Sequence, residues 1–281
     1  VPESTRVLWT IDLDDPLSTA PDRAGAEAAG LARAAQHRLP VLPGFVIPAQ
    51  CVALDGRAPC EDAAPRTRPY VNTHDLREAW ARLSHDGARP LVLRPSPARE
   101  DGADPSSAME ARDWSAFIKA AMAVAASAEP GTAVLVQPRL DAEVAGLVLG
   151  ADPVSGRTDR TVVSAVPGDS RYTLTRRGHV INVDRGGDTP AAGAPLTPSR
   201  LRTLARMAAR AASVLGGPQE IEFAFDRDGR PWLLHSRRLP ADLGECATGP
   251  ECCTLQATSS AFRRMRRGRL HLPRPGHLSA R

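Results

Sequence analysis

Residues 217–238, GPQEIEFAFDRDGRPWLLHSRR, decide how this chain is read. Two runs of strand-forming residues flank Asp226-Arg227-Asp228-Gly229, a turn signal, so the segment is expected to fold as a β-hairpin. With a two- or a four-residue loop, the register puts Ile221, Phe223, Trp232 and Leu234 on one face and Glu220, Glu222, His235 and Arg237 on the other. The first face reads as core. Carboxylates, an imidazole and a guanidinium converging on a sheet surface cost free energy on burial unless a polar partner, such as a metal-bound phosphate, sits there. A half-exposed sheet with solvated charges is the other reading of the same pattern.

Working outward, 281 residues are enough for one large domain or two lobes with a substantial core. Apolar content of 42% and charged content of 24% are ordinary for a globular chain. The net charge of +4 is modest, and arginines crowd the C-terminal end at 263, 264, 266, 267, 269, 274 and 281. Without that end the charge is near neutral, which argues against a general nucleic-acid surface. Lys119 is the only lysine, so a lysine-based phosphate site has a single source. The cysteines, 51, 60, 246, 252 and 253, are odd in number and lack CxxC spacing, which fits a reducing cytoplasm better than a disulfide framework or zinc site. No apolar run approaches the roughly 20 residues of a membrane span, and no signal-peptide pattern opens the sequence.

Helix and strand signals alternate through the first third. Residues 25–36 are alanine-rich and helix-prone, 40–48 (PVLPGFVIP) read as extended, and 73–83 carry Leu76, Trp80 and Leu83 at helical spacing. A short strand at 91–93 delivers Arg94 into a polar loop. Further on, 114–128 form a helix with Trp114, Phe117, Ile118 and Ala121 as its stripe. Strands follow at 132–137, 144–149, 161–166 and 172–183, the last bent at Gly178. Thr197 and Pro198 open a helix that Gly216 caps, with Leu201, Leu204, Met207, Ala211 and Leu215 facing one way. The expected class is α+β with mixed, mostly antiparallel sheets, in lobes 1–112 and 113–240. Residues 241–281 have no sustained period and read as a disordered basic tail. Its RRMRRGR run could bind RNA or anionic lipid, but it lacks interleaved aromatic residues beyond Phe262, so solvated charge is the better account.

Over about residues 20–240 the sequence resembles, in order, the nucleotide-binding domain of the phosphoenolpyruvate synthase, pyruvate phosphate dikinase and rifampin phosphotransferase family. The segments are residues 25–31 with the LPVLPGF run at 39–45, the RPSPARED run at 94–101, Val136-Gln137 with Ala145-Gly146 and Asp152-Pro153 through Gly156, and the hairpin at 218–237. The resemblance implies a two-lobed ATP-grasp type fold that clasps ATP, and a dikinase-type phosphotransferase chemistry passing through a histidine on a separate domain. It places Arg94 on the phosphates, Glu222 on magnesium and Arg237 on the transferring group. Gln137, Asp152, Glu220 and His235 are carried over with them as nucleotide-site residues, and Glu222 with His235 as candidate metal ligands. Phosphoryl transfer needs positioning and charge neutralisation, which arginine and a carboxylate-held metal supply.

The departures from that family are specific. Its phosphate-binding lysine corresponds to Glu27, which reverses the charge. His235 replaces a glutamine, and imidazole is a poor partner for Mg²⁺. Gly150 stands where a threonine is usual. The family's glycine-rich loop after residues 163–165 is replaced by Pro167-Gly168-Asp169 leading straight to Tyr172. Neither the phosphohistidine segment nor the phosphoenolpyruvate barrel is represented, so the expected partners are separately encoded histidine and phosphoenolpyruvate-binding domains. The alternative is a catalytically inactive pseudoenzyme that binds nucleotide or a partner protein.

Overall fold

The apolar periods of the sequence become two mostly antiparallel sheets with helices packed on them. A computed structural model describes residues 9–52, 73–99, 108–129, 131–166, 170–185, 196–239 and 270–271. The chain divides into two compact units, one of residues 1–32 and 43–139 and the other of residues 33–42 and 140–281.

In the first unit the strands are β1 (Ile11–Asp12), β2 (Phe45–Ile47), β3 (Leu91–Ser96), β4 (Met109–Ala111) and β5 (Ala133–Pro138), ordered β1-β2-β5-β3-β4. The helices are α1 (Pro21–Gln36), α2 (Ala49–Val52), α3 (Thr73–Ser84) and α4 (Trp114–Ser127). Strand alternation sends Leu91 and Leu93 of β3, with Val134 and Val136 of β5, into a core shared with Phe45, Trp80 and Phe117. Trp114 stacks on Phe117 at 5.5 Å and meets Trp80 edge-on at 5.6 Å. The opposite face of the same strands carries Val92, Arg94 and Ser96 beside Gln137, Leu135 and Ala133. Strand β3 continues through Pro95, three residues past its expected end. Among the described residues β4 pairs with Leu91, Val92 and Leu93 and no strand lies against that flank at Pro95, which is where proline is tolerated.

In the second unit the strands are β6 (Leu140–Leu149), β7 (Arg160–Val166), β8 (Ser170–Thr175), β9 (Val180–Arg185), β10 (Gln219–Asp226), β11 (Pro231–Arg238) and β12 (Leu270–His271), with the helix α5 (Pro198–Leu215) between β9 and β10. The sheet runs β11-β10-β6-β7-β8-β9, and β12 pairs with β6 in parallel. Thr197 caps α5 by accepting from the Arg200 N–H, and Gly216 ends it in the left-handed region, as the sequence predicts. Leu201, Leu204, Met207, Ala208 and Ala211 bury the helix's apolar stripe, and full burial of one such leucine contributes about 1.5–3 kcal/mol. Arg210 closes the other side of α5 by donating to the His37 carbonyl at 2.6 and 3.0 Å.

Mixed α+β architecture with antiparallel sheets is therefore present in both units. The expected lobe boundary at 112/113 differs from the division at 139/140: β5 pairs between β2 and β3, which draws α4 and β5 into the first unit. The single bent strand expected at 172–183 is two strands, because the chain reverses at Gly178 and β9 returns antiparallel along β8. Ala165 pairs with Ser170, and the Pro167-Gly168-Asp169 segment expected to replace the family's glycine-rich loop lies outside the described residues. Of the basic tail, all but Leu270 and His271 lies outside the described residues, as do Cys60, Cys246, Cys252 and Cys253.

Candidate functional site

The hairpin of β10 and β11 forms where the sequence places it. Asp226 builds its turn: Oδ1 accepts from the N–H groups of Asp228 (3.0 Å) and Arg230 (2.8 Å), and Oδ2 accepts from the Trp232 indole (2.9 Å). At the far end Glu220 lies opposite Arg237 and Glu222 opposite His235, so the four polar residues share a face as expected.

The apolar half of the expected register is altered by a β-bulge. Phe223 pairs with Leu233 rather than Trp232, and Leu234 is the extra residue. The slip moves Trp232 opposite Ala224, onto the face that bears the carboxylates. There Trp232, Ala224 and Leu234 pack with Leu42, Ala142 and Ala145. A second apolar group, Leu147, Leu149, Ala151, Val162 and Leu239, gathers on the neighbouring strands, where Leu147 lies opposite Glu222 and Leu149 opposite Glu220. Ile221, Phe223 and Phe225 turn to the other side and are fully buried. The polar face is thus a short row of charge bordered by hydrocarbon, not a solvated sheet. Glu220 and Glu222 are buried to 9% and 7% exposure, while Arg237 stays exposed and donates to Glu220 Oε2 at 3.0 Å.

Asp152 is placed just beyond the end of β6, but its carboxylate is engaged in its own turn. It accepts from the Val154 N–H at 3.0 Å and from the Ser155 hydroxyl at 2.7 Å, while the Gly156 N–H donates to its carbonyl. Partial burial pushes its carboxyl up, yet the Ser155 hydroxyl and the backbone N–H groups of Val154 and Ser155 outweigh that and hold it below the ordinary 3.8. That engagement makes Asp152 a turn-forming residue.

In the first unit Arg94 and Gln137 come together as diagonal neighbours on one sheet face, and Glu27 joins them. Arg94 Nη1 donates to Glu27 Oε1 at 2.6 Å, and Nη2 donates to Gln137 Oε1. Arg94 and Gln137 are 4% and 3% exposed and Glu27 is 7% exposed. The sequence shows why Glu27 arrives here. Gly25 takes φ +78°, interrupting α1, and a Cβ on it would lie 1.9 Å from the Ser96 carbonyl oxygen. The helix restarts against the end of β3, where the Ala26 N–H donates to the Pro97 carbonyl (2.7 Å) and the Ala28 N–H to Ser96 Oγ (3.1 Å). Gly44 makes room on the other side, since a Cβ there would sit 2.8 Å from Gln137 Cγ.

Glu27 as the partner of Arg94, and Ser96 as the group that receives the helix start, were not legible as site residues. A signal for Glu27 exists: Glu27, Leu31 and Ala34 fall on one stripe of the helix that follows Gly25, and a single carboxylate on an otherwise apolar stripe calls for a buried cation. Among the described residues no group of three His, Cys, Asp or Glu side chains is arranged to hold a metal ion by itself. None of their helices is long and apolar enough to cross a membrane.

No family model matches the chain. It is similar to the prodigiosin synthesizing transferase PigC of Serratia marcescens, 26% identical over 292 aligned positions covering 81% of this chain and 32% of that protein. The chain thus spans about a third of the length of this curated relative. Among solved structures it is similar to the D-alanine-D-alanine ligase from Coxiella burnetii (TM-score 0.40, 13% identity, 86% of this chain and 53% of that one). It is also similar to the D-cycloserine synthetase DcsG (TM-score 0.43, 15% identity, 88% of this chain and 71% of that one). TM-scores below 0.5 leave these two as loose likenesses.

Proposed function

We propose that this chain is the nucleotide-binding part of a dikinase-type phosphotransferase of the ATP-grasp kind, with Mg-ATP as its ligand. The observation that carries this reading is the row Glu220, Glu222, His235 and Arg237, set on adjacent strands and bordered by two apolar groups. The order of the family-like segments along the sequence and the similarity to a transferase support it.

The donor set suits a magnesium ion that arrives on phosphates rather than a free ion. Magnesium keeps an octahedral oxygen shell and is usually held by one or two carboxylates plus substrate phosphates, and Glu222 supplies such a carboxylate. When bound, the ion neutralises phosphate charge and holds the phosphates in line for displacement. Arg237, exposed beside Glu220, is the residue of this unit that would meet a phosphoryl oxygen, and His235 would line the nucleotide without serving the ion well. The phosphoryl acceptor and a histidine relay belong to domains outside these residues, in the same polypeptide or another.

A second reading is favoured by one observation: Arg94, the candidate phosphate contact of the first unit, is committed to Glu27 and Gln137. In this reading the chain binds nucleotide without turning it over. Incubation with Mg-ATP and a histidine-domain partner separates the two. Release of AMP and phosphate supports the transferase, and saturable binding without products supports the silent binder. Absence of binding at millimolar Mg-ATP overturns both.

A further inference from the structure

An arginine that recognises phosphate presents its two terminal nitrogens as a fork to two oxygens of the anion. In Arg94 that fork is filled from within: Nη1 by the Glu27 carboxylate at 2.6 Å and Nη2 by the Gln137 amide oxygen. Both members of the ion pair are buried, each side chain 5% exposed, so their attraction is little weakened by solvent. Glu27 is also fixed by its backbone. On either side of it the Ala26 and Ala28 N–H groups are bound to Pro97 and Ser96 at the end of β3, the strand that carries Arg94. Gly25, pressed against the Ser96 carbonyl, holds that arrangement in place. A polyphosphate reaching Arg94 would have to displace a buried carboxylate tethered at both flanks, and it would meet like charge until it did.

We propose that Glu27 is a built-in anion that occupies the phosphate-recognising fork of Arg94 and silences the first unit toward polyphosphates. Phosphate recognition by the wild-type chain would then depend on the polar row of the second unit, where Glu222 would hold a phosphate-borne magnesium ion. This inference rests on the reading of the chain as nucleotide-binding, with Arg94 as a phosphate contact. It assigns to Glu27 the role of a specificity-determining residue, one that replaces a phosphate ligand with an internal carboxylate.

The test uses inorganic tripolyphosphate in the presence of EDTA, so that magnesium and the nucleoside contribute nothing, and follows the thermal unfolding midpoint of the full chain. The wild-type midpoint is expected to be unmoved. Glu27→Gln, which keeps the shape and removes the charge, should unfold at a lower temperature and gain several degrees with saturating tripolyphosphate, since a ligand that binds only the folded state stabilises it by mass action. The double variant Glu27→Gln/Arg94→Met should gain nothing, which separates the Arg94 fork from binding by basic residues elsewhere. Should Glu27→Gln not fold, Glu27→Asp keeps a shorter carboxylate and is expected to show a smaller gain than that predicted for Glu27→Gln, but one still absent in wild type. A wild-type shift as large as that of the variants, a shift that survives loss of Arg94, or no shift in either variant overturns the proposal. Mg-ATP binding to the wild-type chain, measured separately, reports on the underlying reading: its loss defeats that reading, whereas the tripolyphosphate result alone defeats only the role of Glu27.

Discussion

Arg94 and Glu27, 67 residues apart in sequence, meet at 2.6 Å with both side chains 5% exposed. Taking both charges out of water costs several kcal/mol per ion, and the attraction between them offsets this only while the pair is intact. Removing one partner should therefore hurt more than removing both. Arg94→Met is expected to lower unfolding free energy by about 3–5 kcal/mol, and Glu27→Gln/Arg94→Met to regain much of that loss. Urea denaturation of the two single variants and the double variant measures this. Additive losses would mean the pair is not coupled.

Gly25 adopts a backbone conformation that side chains avoid, with Ser96 filling the space where a Cβ would go. Gly25→Ala should cost roughly 2 kcal/mol or more through strain and collision together. Ser96→Ala removes the acceptor of the Ala28 N–H and should cost about 1 kcal/mol. Unfolding midpoints in urea check both, and a neutral Gly25→Ala would show that α1 does not restart in the way described.

The hairpin turn depends on one carboxylate. Asp226 accepts from two backbone N–H groups and from the Trp232 indole, and the last bond holds Trp232 on the face that the bulge assigns to it. Asp226→Ala is expected to cost about 2 kcal/mol, by the loss of charged acceptors. It should also red-shift Trp232 emission, measured in a chain in which Trp9, Trp80 and Trp114 are replaced by phenylalanine.

Asp152 gives a pH signature. Partial burial raises its carboxyl, but the Ser155 hydroxyl and the N–H groups of Val154 and Ser155 together lower it by more, to a net position below the ordinary 3.8. A group depressed in the folded state stabilises the fold above its unfolded value, and that stabilisation is lost as pH falls through its folded value. Asp152→Asn should thus be less stable than wild type near neutrality. The difference should shrink as pH falls below about 4. Parallel acid titrations of thermal midpoints measure it, and a difference that widens in acid would contradict the assignment.

The hairpin, α5 with its two caps, and strands β6 and β7 are legible because their periods and turn residues are local. The same locality explains what was not. The swap of Trp232 for Leu233 depends on a one-residue bulge, which sets Trp232 and Leu234 against Leu42 and Ala142, far away in sequence. Asp152 fitted the family-like segment, yet the neighbouring Ser155 and Val154 claim its oxygens. The charge reversal at Glu27 is legible, but its pairing with Arg94 requires the fold, since it is strand β3 that brings position 94 to the point where α1 restarts. The place of strand β5 is hidden for a similar reason: sequence order does not reveal that it pairs between β2 and β3.

The most direct test of the account is calorimetric titration of Mg-ATP into the wild-type chain and into Glu222→Gln, with EDTA controls. Glu222 lies opposite His235 at the centre of the polar row, and the reading gives it the magnesium. Saturable, magnesium-dependent binding by wild type is predicted, weakened tenfold or more in the variant, a loss of about 1.4 kcal/mol. Equal affinities in the two proteins, or binding that ignores EDTA, would contradict it.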